Sequence, residues 1–153
     1  MLADEFFESI TKIIYQNRND KTFLTSILND YDIVFDCSTD NDLMSILNSL
    51  DLTCDLLNIS ITNHSKELVC AFFPNIYHFV STQFENILDN DLDDLYEPTG
   101  CWNPTFKASY NDINMLIQFS IKHINNLYRD KKQKNNFVVQ MSNDSLKLEI
   151  KEY

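Results

Sequence analysis

A chain of 153 residues with 44% hydrophobic, 12% aromatic and 23% charged side chains suits a single globular domain over 1–153 and excludes global disorder. Its net charge of −11 disfavours nucleic-acid phosphate and anionic membrane as ligands, because either would be held against like-charge repulsion. A basic protein is the natural complement.

The charge is uneven along the chain. Residues 1–106 hold 18 acids against Lys12, Arg18, Lys21 and Lys66, whereas 107–153 hold 5 acids against 8 bases. The opening MLADEFFESITK has acids where a secretory leader needs a basic start. The longest apolar run, LVCAFF at 68–73, is too short to cross a bilayer. Both point to a cytoplasmic protein without membrane contact.

Residues 3–17 set Phe6, Ile10, Ile13 and Ile14 on one helical face, with acids near its N-terminal end. A second helix fits 21–30, with Asp20 as N-cap and Phe23, Leu24, Ile27 and Leu28 inward. YDIVFDCS then alternates, which predicts a strand with Ile33, Phe35 and Cys37 inward and Asp32, Asp36 and Ser38 outward. Thr39 or Asp40 caps a third helix through Leu50. LLNISIT alternates again and predicts a second strand, while Ser65 opens a helical stretch that Pro74 ends or kinks.

The apolar spacing from Asn75 to Leu88 is helical, and so is that of 112–128, which Asn111 caps. The charged run RDKKQK at 129–134 predicts a solvated connector after that helix. NFVVQMSNDSLKLEIKEY reads as two alternating strands around Ser142–Asn143–Asp144, a hairpin expected to pair with the strand near 33–37. The expected class is α+β, with about five helices packed around a small, mainly antiparallel sheet that includes the C-terminal hairpin.

The densest chemistry lies between the last two helices. Asp89, Asp91, Asp93, Asp94 and Glu97 run into Pro98, Gly100, Trp102 and Pro104. The first three carboxylates match the opening ligands of an EF-hand loop. That loop needs glycine at its sixth position and glutamate at its twelfth, where this chain has Asp94 and Gly100. Calcium is therefore not expected. A catalytic thiol at Cys101 would need a base beside it, and the only downstream histidine, His123, lies inside the last predicted helix.

Cys37, Cys54, Cys70 and Cys101 form no C-x-x-C pair and read as reduced thiols. His64, His78 and His123 lack zinc spacing, and a single glycine precludes a glycine-rich phosphate loop. No metal, cofactor or enzymatic activity is expected. The carboxylates with Trp102 read instead as a partner-facing surface stiffened by two prolines, with Asp30, Asp32, Asp36, Asp40, Asp42, Asp51 and Asp55 as the next richest acidic set.

These features fit a non-enzymatic acidic protein that neutralises a basic partner, as an immunity protein or antitoxin masks a nuclease toxin. The alternatives are an acidic adaptor or secretion chaperone, or a phage or viral anti-defence protein. At physiological concentration calcium should leave the melting temperature unchanged, since a ligand of the native state must raise it by mass action. A rise with calcium that magnesium does not reproduce would mean that residues 89–97 hold the ion.

Overall fold

The computed structural model describes residues 3–38, 40–62, 66–88, 96–99, 103–106, 110–142 and 147–153. In chain order these form α1 (Ala3–Gln16), α2 (Lys21–Leu28), β1 (Ile33–Asp36), α3 (Asn41–Asn48), β2 (Asp55–Thr62) and β3 (Glu67–Phe72). There follow α4 (Ile76–Leu88), β4 (Tyr96–Thr99), β5 (Asn103–Phe106), α5 (Tyr110–Arg129), β6 (Phe137–Met141) and β7 (Leu148–Glu152). The class is α+β.

Side-chain caps place two of the early helices where expected. The Asp20 carboxylate accepts from the Phe23 N–H at 3.0 Å and so satisfies a donor that α2 leaves without an intrahelical partner. Asp40, rather than Thr39, does the same for α3, accepting from the Asp42 and Leu43 N–H groups at 3.0 and 3.1 Å. At the other end of the chain, α5 closes on Lys131, whose φ of 50° lies in the left-handed region. Lys132 N–H donates to the Leu127 carbonyl and Lys131 N–H to that of Tyr128, the bond pair of a Schellman cap. The charged run after α5 thus includes the turn that stops the helix.

The main sheet has the order β1-β2-β3-β6-β7 and is mixed. β1 runs parallel to β2 across the α3 crossover, while the other three neighbouring pairs are antiparallel. Alternation along the strands sends side chains into two apolar layers. Leu56, Val69, Ala71 and Val138 join Ile14, Leu24, Leu28, Leu43, Met44, Leu47, Ile76 and Val80, which come from α1 to α4. Leu57, Leu68, Cys70, Phe72, Phe137 and Val139 join Leu116, Ile124 and Leu127 of α5. Asn136 ties the sheet's last strands to its centre: its side-chain oxygen accepts from Phe72 N–H at 2.7 Å and its carbonyl from Tyr153 N–H at 2.8 Å.

Several expectations are corrected. The stretch read as helical before Pro74 is β3, the central strand, buried on both faces from Leu68 to Phe72. Without a solvent face it shows a continuous apolar run instead of alternation. The two faces of β1 are reversed: Asp36 is 4% exposed and Phe35 44%. Phe23 and Ile13, expected inward, are exposed on α2 and α1. The C-terminal hairpin forms as expected but joins the sheet through β6 on β3, leaving β1 at the opposite edge.

Candidate functional site

Of the residues expected to meet a partner, Asp89, Asp91, Asp93, Asp94 and Trp102 lie outside the described residues. Glu97 sits on β4, in register with Thr105 of β5. β4 and β5, which were not expected from the sequence, pair as a small antiparallel sheet. Its register accommodates the prolines. Pro98 stands opposite Pro104, and since neither has an N–H, they occupy a non-hydrogen-bonded pair between two hydrogen-bonded ones.

The structure sorts the second acidic set, residues 30–55, into two kinds. Three of its members are engaged in holding the fold. The Asp36 carboxylate is buried on the four-helix face and accepts from the Ser38 N–H at 3.0 Å, the Ser38 hydroxyl at 2.7 Å and the Asn58 side-chain amide at 2.9 Å. Asn58 and Ser60, 0% and 1% exposed, continue this polar line, the Ser60 hydroxyl donating to Asn58 Oδ1 at 2.6 Å.

Asp40 caps α3 and accepts from the Tyr15 hydroxyl of α1 at 2.5 Å. Asp55, at the start of β2, accepts from the Tyr128 hydroxyl at 2.9 Å and pairs with Lys134, whose ammonium also lies 4.4 Å from the centre of the Tyr128 ring. That cluster pins the end of α5 to the beginning of β2.

Asp30, Asp32, Asp42 and Asp51 are exposed. The first two flank Tyr31 just before β1, and Tyr31 and Phe35 are large aromatics open to solvent. The Asp55 N–H donates to the Asp32 carbonyl at 3.1 Å, which fixes Asp32 beside the head of β2. β1 therefore carries carboxylates at its entry, an exposed aromatic along its length and Asp42 beyond its exit. The sequence signal for Tyr31 was its place between two acids. Phe35 was missed because a charged residue, Asp36, takes the inward position.

Local electrostatics run against an activated nucleophile among the described thiols, Cys37, Cys54 and Cys70. Partial desolvation of the sulfur, with the neighbouring Asp36 charge, pushes the Cys37 thiol up although the residue itself is exposed. Burial does the same at Cys54 and more strongly at Cys70. A reactive thiolate needs the opposite shift. Among the described residues no group of three or more His, Cys, Asp and Glu is placed to hold a metal ion, and no helix is long and apolar enough to cross a membrane. No known protein family matches the chain, and comparison with curated proteins gives no match either.

The Tyr15–Asp40 contact is titratable from both sides. Its hydrogen bond, then the Leu43 N–H, holds the Asp40 carboxyl below the usual range, and the same bond, with desolvation, pushes Tyr15 up to about 12. A carboxyl with a depressed folded value stabilises fully above its unfolded value of about 3.9 and loses that contribution as pH falls through the folded one. A tyrosine raised in the folded state stabilises below about 10 and loses its contribution as pH climbs through 12. Tyr15→Phe should therefore lower stability by a constant amount at neutral pH, and the gap to wild type should narrow below about pH 4. Urea melts across a pH series measure this. A gap independent of pH down to full acid unfolding would mean that the contact carries no charge-dependent stability.

Proposed function

We propose that this chain is a non-enzymatic acidic binding protein that neutralises a basic protein partner, in the manner of an immunity protein or antitoxin that inhibits a nuclease toxin. The observation that carries the reading is the concentration of 18 acids against four bases in residues 1–106. A surface that holds phosphates must be cationic, so a compact polyanion can occupy it and be steered to it quickly. The exposed carboxylates around Tyr31 and Phe35 support this reading, because aromatic anchors ringed by charge are the usual anatomy of such contacts. Localisation in the cytoplasm, beside such a partner, belongs to the same proposal.

Asp89, Asp91, Asp93, Asp94 and Glu97, with Trp102, are proposed as the principal partner-facing residues. An acidic adaptor or secretion chaperone is the second reading, and the exposed Phe23, Tyr31, Phe35 and Tyr77 favour it, since such a protein covers an apolar segment. Salt separates the two. Electrostatic capture weakens as ionic strength rises, whereas apolar burial does not.

Affinity capture from the source cell at low and high salt should return a strongly basic protein that salt releases. With that protein in hand, Asp91→Asn, Asp93→Asn and Asp94→Asn combined should slow association and flatten its salt dependence. Trp102→Ala should speed dissociation, costing on the order of 2 kcal/mol. A captured protein that is neutral and stays bound in high salt would contradict the neutralising role.

A further inference from the structure

β7 ends the five-stranded sheet, so among the described residues one of its sides has no strand beside it. The hairpin ladder determines which backbone groups line that side. Tyr153 N–H donates to the Asn136 carbonyl at 2.8 Å, and Ser142 N–H to the Lys147 carbonyl at 3.0 Å. Antiparallel alternation from these two bonds turns the backbone groups of Lys147, Glu149, Lys151 and Tyr153 toward the β6 side. The N–H and C=O groups of Leu148, Ile150 and Glu152 consequently point to the open side.

Side-chain charges along this edge are arranged for self-recognition. If a second copy of β7 is laid antiparallel with the two-fold axis at Ile150, the outward backbone groups of Ile150 meet those of Ile150 in the partner. Those of Leu148 meet those of Glu152. The pairs between are then Glu149 with Lys151 and Lys151 with Glu149. They fall at non-hydrogen-bonded positions, where opposed side chains come closest. Moving the axis to Glu149 or Lys151 sets like charges face to face.

The apolar pattern agrees. Leu148 and Ile150 are half-buried at the margin of the α5 layer, against the cluster that also takes in Ile117 and Ile121. Pairing across the axis continues that layer from one copy into the other. The opposite edge of the sheet offers no such match: β1 and its flanks carry Asp32 and Asp36 without a cation from Ile33 to Asp36. A lone lysine on an edge strand usually discourages pairing. Here the lysine is matched by a glutamate two residues away, at the position that symmetry places opposite it.

We infer that two copies of this chain associate through β7 about a two-fold axis at Ile150, joining their sheets into one. The inference is independent of the partner proposed above, since it needs only the chain itself. Sedimentation velocity over a concentration series tests it at physiological ionic strength, where a Debye length of about 8 Å screens the net repulsion between copies more than the touching pairs. Wild type should move from the 18.0 kDa of one chain toward twice that mass as concentration rises.

Lys151→Glu turns both attractive pairs repulsive and should raise the dimer Kd by about tenfold or more. Glu149→Lys combined with Lys151→Glu restores opposite charges in both pairs and should return the dimer, which separates a lost contact from a lost fold. The inference is overturned if wild type stays at the mass of one chain throughout, if Lys151→Glu assembles as wild type does, or if the folded double variant remains monomeric.

Discussion

A carboxylate buried with hydrogen bonds, and with no cation paired to it among the described residues, sets the terms for this fold. Asp36, 4% exposed, has its oxygens filled by the Ser38 N–H, the Ser38 hydroxyl and the Asn58 amide. Taking a charge out of water costs several kcal/mol unless its acceptor sites are filled. The two Ser38 donors are local, but the Asn58 amide reaches the carboxylate only if β1 lies parallel to β2 with Asp36 opposite Asn58, as it does. A slip of one residue would set Asp36 against an apolar neighbour, Leu57 or Ile59, and turn it to the other face. The same bonds shape the turn into α3, where the Asp40 N–H donates to the Ser38 hydroxyl and the Asp40 carboxylate caps the helix and holds Tyr15 of α1. Register, crossover and the docking of the first helix thus share one polar core.

This polar core divides the acids by role. Asp36, Asp40 and Asp55 are spent on internal contacts, so they contribute little to any surface offered to a partner. Asp30, Asp32, Asp42 and Asp51 stay exposed, the first two just before the strand that Asp36 anchors. Because Asp36 takes the inward side of β1, Phe35 is turned out to solvent. The buried carboxylate and the exposed aromatic are two sides of one alternation. The proposed binding role therefore rests on structural chemistry as well as on net charge.

Much of the architecture was legible in the residues. Asp20 and Asp40 announced two helix starts because short acidic side chains fill backbone donors that nothing else fills. The hairpin was visible because β7 alternates half-buried and exposed residues along its length. β3 was not visible. With Val69 and Ala71 facing one layer and Leu68, Cys70 and Phe72 the other, its sequence has no polar phase to distinguish strand from buried helix. β1 was located correctly but inverted, since a rule that sends charge outward fails where three donors converge on a carboxylate. The small β4–β5 sheet was hidden by its prolines, which argue against strands until their opposed, non-hydrogen-bonded register is known. Of the candidate site, the sequence supplied the residue types, whereas the division between engaged and exposed acids needed tertiary contacts.

The central claim, that the Asp36–Asn58 hydrogen bond holds β1 in place, is tested most directly by a double-mutant cycle. Asp36→Ala, Asn58→Ala and the combined variant would be compared in urea unfolding. Each single change leaves the other member of the pair unfilled, at a cost of about 1–3 kcal/mol, whereas the double change removes both members. The Ser60 hydroxyl loses Asn58 Oδ1 in Asn58→Ala and in the double variant alike, so that loss cancels in the cycle. The account predicts that the double variant is less destabilised than the two singles added together, by about 1 kcal/mol or more. Additivity within about 0.5 kcal/mol would contradict it, because the two side chains would then act independently.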